Sequence, residues 1–155
     1  MAHGRTDSTR HHAAEDWHAW AHPVLFSLAE FPVVRIVRIY TGTDQRSHFE
    51  DVEVDLRDVG LGGRMSSLVP AKGVIFRETG GDYDLDFHNA PRRQYVVNLS
   101  GSVEIEVGSG EKRILGPGSI LLAEDTTGQG HISRAVDRQP RQSLFIPLAD
   151  AGLSG

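Results

Sequence analysis

Apolar and polar side chains alternate over short stretches along most of this chain, the period of two that marks strands buried on one face. From Phe49 to Leu56, Val52, Val54 and Leu56 face inward while Asp51, Glu53 and Asp55 face outward. From Asp82 to His88, Tyr83, Leu85 and Phe87 share one face, and Asp82, Asp84, Asp86 and His88 the other. Gln94 to Leu99 turns Gln94, Val96 and Asn98 to a common side. Val33 to Tyr40, Gly73 to Thr79, Val103 to Val107, Lys112 to Leu115, Ser119 to Glu124, His131 to Val136 and Gln142 to Leu148 read as further strands. Turn segments such as TGTDQ, ETGGD, GSGE, GPG and DRQPR separate them, and LRDVGLGGRMSS reads as a loop. About nine or ten short strands with no long helix predict an all-β sandwich or closed barrel.

The first stretch breaks this pattern. Five of the eight histidines, His3, His11, His12, His18 and His22, precede residue 30. Ala13 to Ala21 has the spacing of a short helix, with Trp17 and Trp20 on one face to cover a barrel edge or a dimer partner. His11-His12 invites a metal reading, but the composition favours a solvated leader. The expected organisation is an N-terminal extension over 1–32, a barrel over 33–148 and a flexible tail over 149–155.

Composition narrows the function classes. A chain of 155 residues is one domain by size and can bury a core without a metal or disulfide. The absence of cysteine removes disulfides, thiolate zinc sites and cysteine nucleophiles together. A formal net charge of -5, with no clustered basic residues, argues against nucleic acid as a partner. The longest apolar runs, VVRIV and SILLA, are too short to cross a bilayer, and the N-terminus has no apolar signal core, so no membrane role and a cytoplasmic location are expected. No G-x-S-x-G elbow is present, and the GLGG at Gly60 to Gly63 opens no helix that would cradle a phosphate.

The chemistry concentrates between Gly80 and His131. His88 ends one alternating segment, Gln94 begins the next, and His131 closes a glycine-rich turn before a third. On neighbouring strands such side chains converge, with Cβ atoms ~4.5–5.5 Å apart, a spacing that suits joint coordination of a divalent metal by imidazole and oxygen. Each histidine taken alone reads first as a hydrogen-bonded strand-end residue, and it is the two together that point to a metal. Gln94 reads as a ligand or as a hydrogen-bonding group. Asp86 shares the His88 face, Glu124-Asp125 lies in the His131 loop, and His48, before a strongly alternating strand, is placed at a barrel rim, so Asp86, Glu124 and His48 are candidates to move a proton beside such a centre. Arg92 and Arg93 read as a clamp for an anion or as a solvated pair, and Asn98 shares the Gln94 face.

The segment GGDYDLDFHNAPRRQYVVNLSGSVEIEV, followed by GPGSILLAEDTTGQGH, resembles the cupin superfamily, and within it the small single-domain RmlC-like jelly rolls. The resemblance covers roughly Val33 to Leu148. The family's first motif corresponds to Gly81, His88, Ala90 in place of a second histidine, Gln94 in place of glutamate, and Gly101. Its second motif corresponds to Gly118 and His131, with Ala135 in place of asparagine. The resemblance implies a double-stranded β-helix barrel, with a metal (Mn, Fe, Ni or Zn) on His88, Gln94 and His131, and such a barrel is expected to pair as a homodimer that covers an edge strand or apolar face. It implies an isomerase, lyase, cyclase or oxygenase acting on a small oxygenated molecule, with Glu124, Asp86 or His48 moving the proton and Arg92, Arg93 and Asn98 binding substrate. The alternative is a metal-free module that binds a small ligand without catalysis.

Overall fold

A computed structural model describes residues 33–150. The helix expected over Ala13 to Ala21, the early histidines and the last five residues lie outside the described residues. The described residues form twelve strands and no helix: β1 (Arg35–Thr41), β2 (Ser47–Glu53), β3 (Arg57–Gly60), β4 (Gly63–Met65), β5 (Ile75–Thr79), β6 (Asp84–His88), β7 (Gln94–Ser100), β8 (Val103–Val107), β9 (Lys112–Leu115), β10 (Ile120–Glu124), β11 (His131–Ala135) and β12 (Arg141–Pro147). The loop expected over LRDVGLGGRMSS contains the small hairpin β3–β4, which forms a separate two-stranded sheet.

The other ten strands make two sheets, ordered β2-β1-β10-β7-β12-β5 and β6-β11-β8-β9. From β5 to β12 the chain passes back and forth between the sheets, apart from the β8–β9 hairpin, which stays within one sheet, in the manner of a jelly roll. Every pairing is antiparallel except β1 with β10, which run parallel.

Between the sheets lies a core of Ile39, Val96, Val103, Ile105, Val107 and Leu121 with their neighbours, and Ile39 is fully buried. Each strand contributes every second residue to it, as the alternation requires. A second cluster, Ile36, Leu122 and Leu148 with Val54, Tyr95 and Ile120, is built from the opposite parity of the six-stranded sheet. This corrects the direction assigned to the β2 alternation. Val54 packs on the second cluster and Val52 stands opposite Ile36, whereas Phe49 packs on the main core. The period was right, but a sheet with apolar clusters on both faces has no single inside.

Candidate functional site

At one end of the main core the sheets diverge around a cavity of about 240 Å³. His88, Gln94 and His131 all line it. His131 stands directly opposite His88 across the β11–β6 pairing, with ring centroids 4.4 Å apart. Gln94 enters from β7 in the facing sheet, 4 % exposed. Its carboxamide has no protein hydrogen-bond partner among the described residues.

His88 reaches the cavity through a β-bulge. The register runs from His131↔His88 to Ser133↔Leu85, so Asp86 and Phe87 together oppose Ile132. The extra residue breaks the alternation and puts His88 on the face of Leu85 and Tyr83, all three lining the cavity. The expectation that Asp86 shares a face with His88 is thereby overturned. Asp86 is exposed, and its carboxylate accepts from the Phe87 amide.

The second ring nitrogens are held from behind. His88 Nδ1 donates to the Asp86 carbonyl at 2.8 Å, and His131 Nδ1 donates to Asp125 Oδ2 at 2.6 Å. These partners assign the tautomers: with its proton on Nδ1, each neutral ring keeps the Nε2 lone pair. Asp125 is fully buried, and its Oδ2 also accepts from Ser47 Oγ at 2.8 Å, while Oδ1 has no partner among the described residues. Burial pushes the His88 imidazole below its ordinary range. The bond to the Asp86 carbonyl opposes this, and the charges of His131 and Arg77 add to the lowering.

Other expected site residues lie elsewhere. Glu124 points away from the cavity on β10, tied to Arg38 Nε at 3.1 Å and Arg93 Nε at 2.9 Å. Arg93 is therefore an outer ion-pair partner, and Arg92 is exposed on the loop before β7. His48 bonds Asp44 at 2.9 Å on the rim, with its ring 5.9 Å from that of Tyr40. Asn98 is buried beside the core, donating to the Leu115 carbonyl at 2.9 Å. None of these lines the cavity. For Glu124 the reason is parity, since Ala123 faces the cavity, Glu124 the outside and Asp125 the interior again; Asn98 shares the inward face of Gln94 and Val96 but lies further along β7.

Several wall residues carried no sequence signal. Arg77, Tyr83, Ser133 and Arg141 reach the cavity from three different strands and the turn before β6, and no Asp or Glu joins them there. Tyr83, read from its pattern as core, stands under the Arg77 guanidinium at 5.7 Å.

No group of three His, Cys, Asp or Glu side chains converges among the described residues. A metal here would take a neutral donor set: two imidazole Nε2 atoms and the Gln94 carbonyl oxygen. That set fits a first-row divalent ion, because both rings already donate their other N–H to an oxygen, as ligating histidines do.

No protein-family model matches the chain, and no curated protein matches it. Solved structures similar to it include protein NMB1881 from Neisseria meningitidis, at 14 % identity over 52 % of this chain and 79 % of that one, with a TM-score of 0.40. KdgF from Halomonas sp. is similar at 26 % identity over 64 % of this chain and 91 % of that one, TM-score 0.38. A putative ethanolamine utilization protein Q from Salmonella typhimurium is similar at 12 % identity over 76 % and 98 %, TM-score 0.35. Strand order and the histidine-lined cavity define the class: this is an all-β, double-sheeted jelly-roll barrel with a polar pocket between its sheets.

Proposed function

We propose that the chain is a metal-dependent enzyme that acts on a small oxygenated molecule within the barrel, with His88, Gln94 and His131 holding a divalent first-row ion. The observation that carries this reading is two imidazoles, each anchored through Nδ1, meeting an unpartnered carboxamide in one cavity. Such an ion would supply Lewis-acid polarisation of a substrate oxygen. The chain's own contribution is orientation. Asp125 and the Asp86 carbonyl fix the rings, and the apolar walls of Val96, Ile105, Leu121 and Phe145 exclude water. Tyr83 and Ser133 are the hydroxyl groups on that wall, which supports isomerase or lyase chemistry with Tyr83 moving the proton.

Metal analysis of the purified chain tests this. About one divalent ion per chain is expected, lost in His88→Ala and in His131→Ala. Asp125→Asn should keep the fold while weakening metal affinity roughly 10–100-fold, the usual effect of removing a group that orients a ligand. A chain that purifies without metal and takes up no added manganese, iron, nickel or zinc ends the reading.

A further inference from the structure

Two guanidinium groups line the cavity without a carboxylate to balance them. Arg141 on β12 is 8 % exposed, and its only side-chain partner among the described residues is Asn98 Oδ1, at the outer limit of 3.5 Å. Arg77 on β5 forms no ion pair with a described acid; its guanidinium lies 5.1 Å over the Phe145 ring and 5.7 Å over that of Tyr83. Arg77 stands opposite Ser143, and Arg141 opposite Thr79. The two arginines are therefore diagonal neighbours on one face, ~7–8 Å apart at their Cβ positions, within reach of a shared ligand.

Several other described arginines are neutralised, and Arg92, with no carboxylate partner among the described residues, is exposed on a loop rather than set in a cavity wall. Arg38, Arg93, Arg113 and Arg134 each meet at least one carboxylate. Arg141 is a buried cation with no carboxylate partner among the described residues, which is costly, and the cost is recovered when an anion arrives; Arg77 lines the same cavity but is itself exposed. Burial accordingly holds Arg141 below its ordinary range, the Arg77 charge adding to this and Tyr83 opposing it. The chain as a whole carries a formal charge of -5, so a cavity with two cations and no acid runs against the average.

We propose that Arg77 and Arg141 form the anion-recognition end of the cavity, and that the ligand is a small organic acid whose carboxylate lies between them. The rest of the ligand extends along the apolar wall toward His88, Gln94 and His131. Guanidinium matches a carboxylate bidentately. The cavity of about 240 Å³ is below the roughly 300–1,000 Å³ of sites for drug-sized molecules, so the acid is small. This deepens the proposed enzyme reading by naming its substrate class, and it rests on that reading for the far end of the ligand only.

The test is an NMR titration of the chelator-treated full chain with acetate, succinate, 4-oxopentanoate, 4-oxopentanamide and inorganic phosphate. Working without metal reads the arginine end separately, so failure here and failure of the metal analysis are distinct results. At least one carboxylate is expected to bind saturably, with the uncharged amide at least tenfold weaker than its acid. Arg77→Gln and Arg141→Gln should each weaken that carboxylate roughly tenfold to a hundredfold, the loss expected for a charge-assisted bond. Arg93→Gln, an outer-face cation, should leave it unchanged. If Arg141→Gln unfolds, Arg77→Gln and Arg141→Lys carry the test, the lysine keeping charge but losing the fork. The proposal falls if no carboxylate binds, if amide and acid bind alike, if phosphate binds more tightly than every carboxylate, or if folded arginine variants match the parent.

Discussion

At the scale of single residues, His88 carries the clearest pH signature. Its folded pKa lies below the ordinary 6.5, chiefly through burial. The unfolded chain then takes up this proton more readily than the folded one, so the contribution to stability is complete above about 6.5 and is lost as pH falls from there toward the folded value. Thermal melts of metal-free protein between pH 7.5 and 5 should show a steeper loss in the parent than in His88→Gln. Equal slopes would mean the imidazole is not the group being titrated. At this same scale the sequence was only partly legible. His88, Gln94 and His131 stood out by type and by place at strand ends. Glu124 and Asp125 stood out together beside His131, but which of them enters the barrel did not, because one residue of parity decides it. Arg77 and Arg141 look like any other arginine until their partners are known.

At the scale of elements, the bulge in β6 and the turn before β11 together set the distance between the two imidazoles. Gly130 sits at φ +77°, and a Cβ there would overlap the His88 carbonyl. Gly110, in the β8–β9 hairpin, has φ +86° but open space around it. Both positions carry the backbone cost of a left-handed alanine, about 1–2 kcal/mol. Only Gly130→Ala adds a clash against the strand that holds His88. Urea unfolding should therefore place Gly130→Ala clearly below Gly110→Ala, and the signals of His88 and His131 should shift in the former alone. Similar losses in the two variants would show that the turn yields without disturbing the pair. Most strands were readable, Val103 to Val107 and Lys112 to Leu115 matching β8 and β9 to the residue, whereas β2 begins and ends earlier than Phe49 to Leu56 and the β3–β4 hairpin lies in the expected loop. The bulge was not, because a strict period of two leaves no place for an extra residue.

At the scale of the whole molecule, stability resides between the sheets. Ile39 is wholly buried in the main core, whereas Phe76 on the β5 edge is 82 % exposed. Ile39→Ala should cost about 2–5 kcal/mol in denaturant unfolding, and Phe76→Ala within about 0.5 kcal/mol of nothing. A comparable loss at Phe76 would mean that the six-stranded sheet is covered in solution. The four-stranded sheet has a different exterior: Arg134 on β11 reaches Glu106 at 2.6 Å and Glu104 at 3.2 Å on β8, and Asp84 at 3.4 Å on β6. This face is held by charge, and such exposed pairs contribute little each.

Local pattern alone was enough to determine most of the barrel strands, the glycine turns and the three polar residues between Gly80 and His131, because period, turn chemistry and residue type are written in neighbouring positions. Only the tertiary structure decided which face of each strand became the cavity, which carboxylate stands behind His131, and that Arg77 and Arg141 meet no acid. Those outcomes depend on register between strands far apart in the chain, where a shift of one residue sends every side chain to the opposite side.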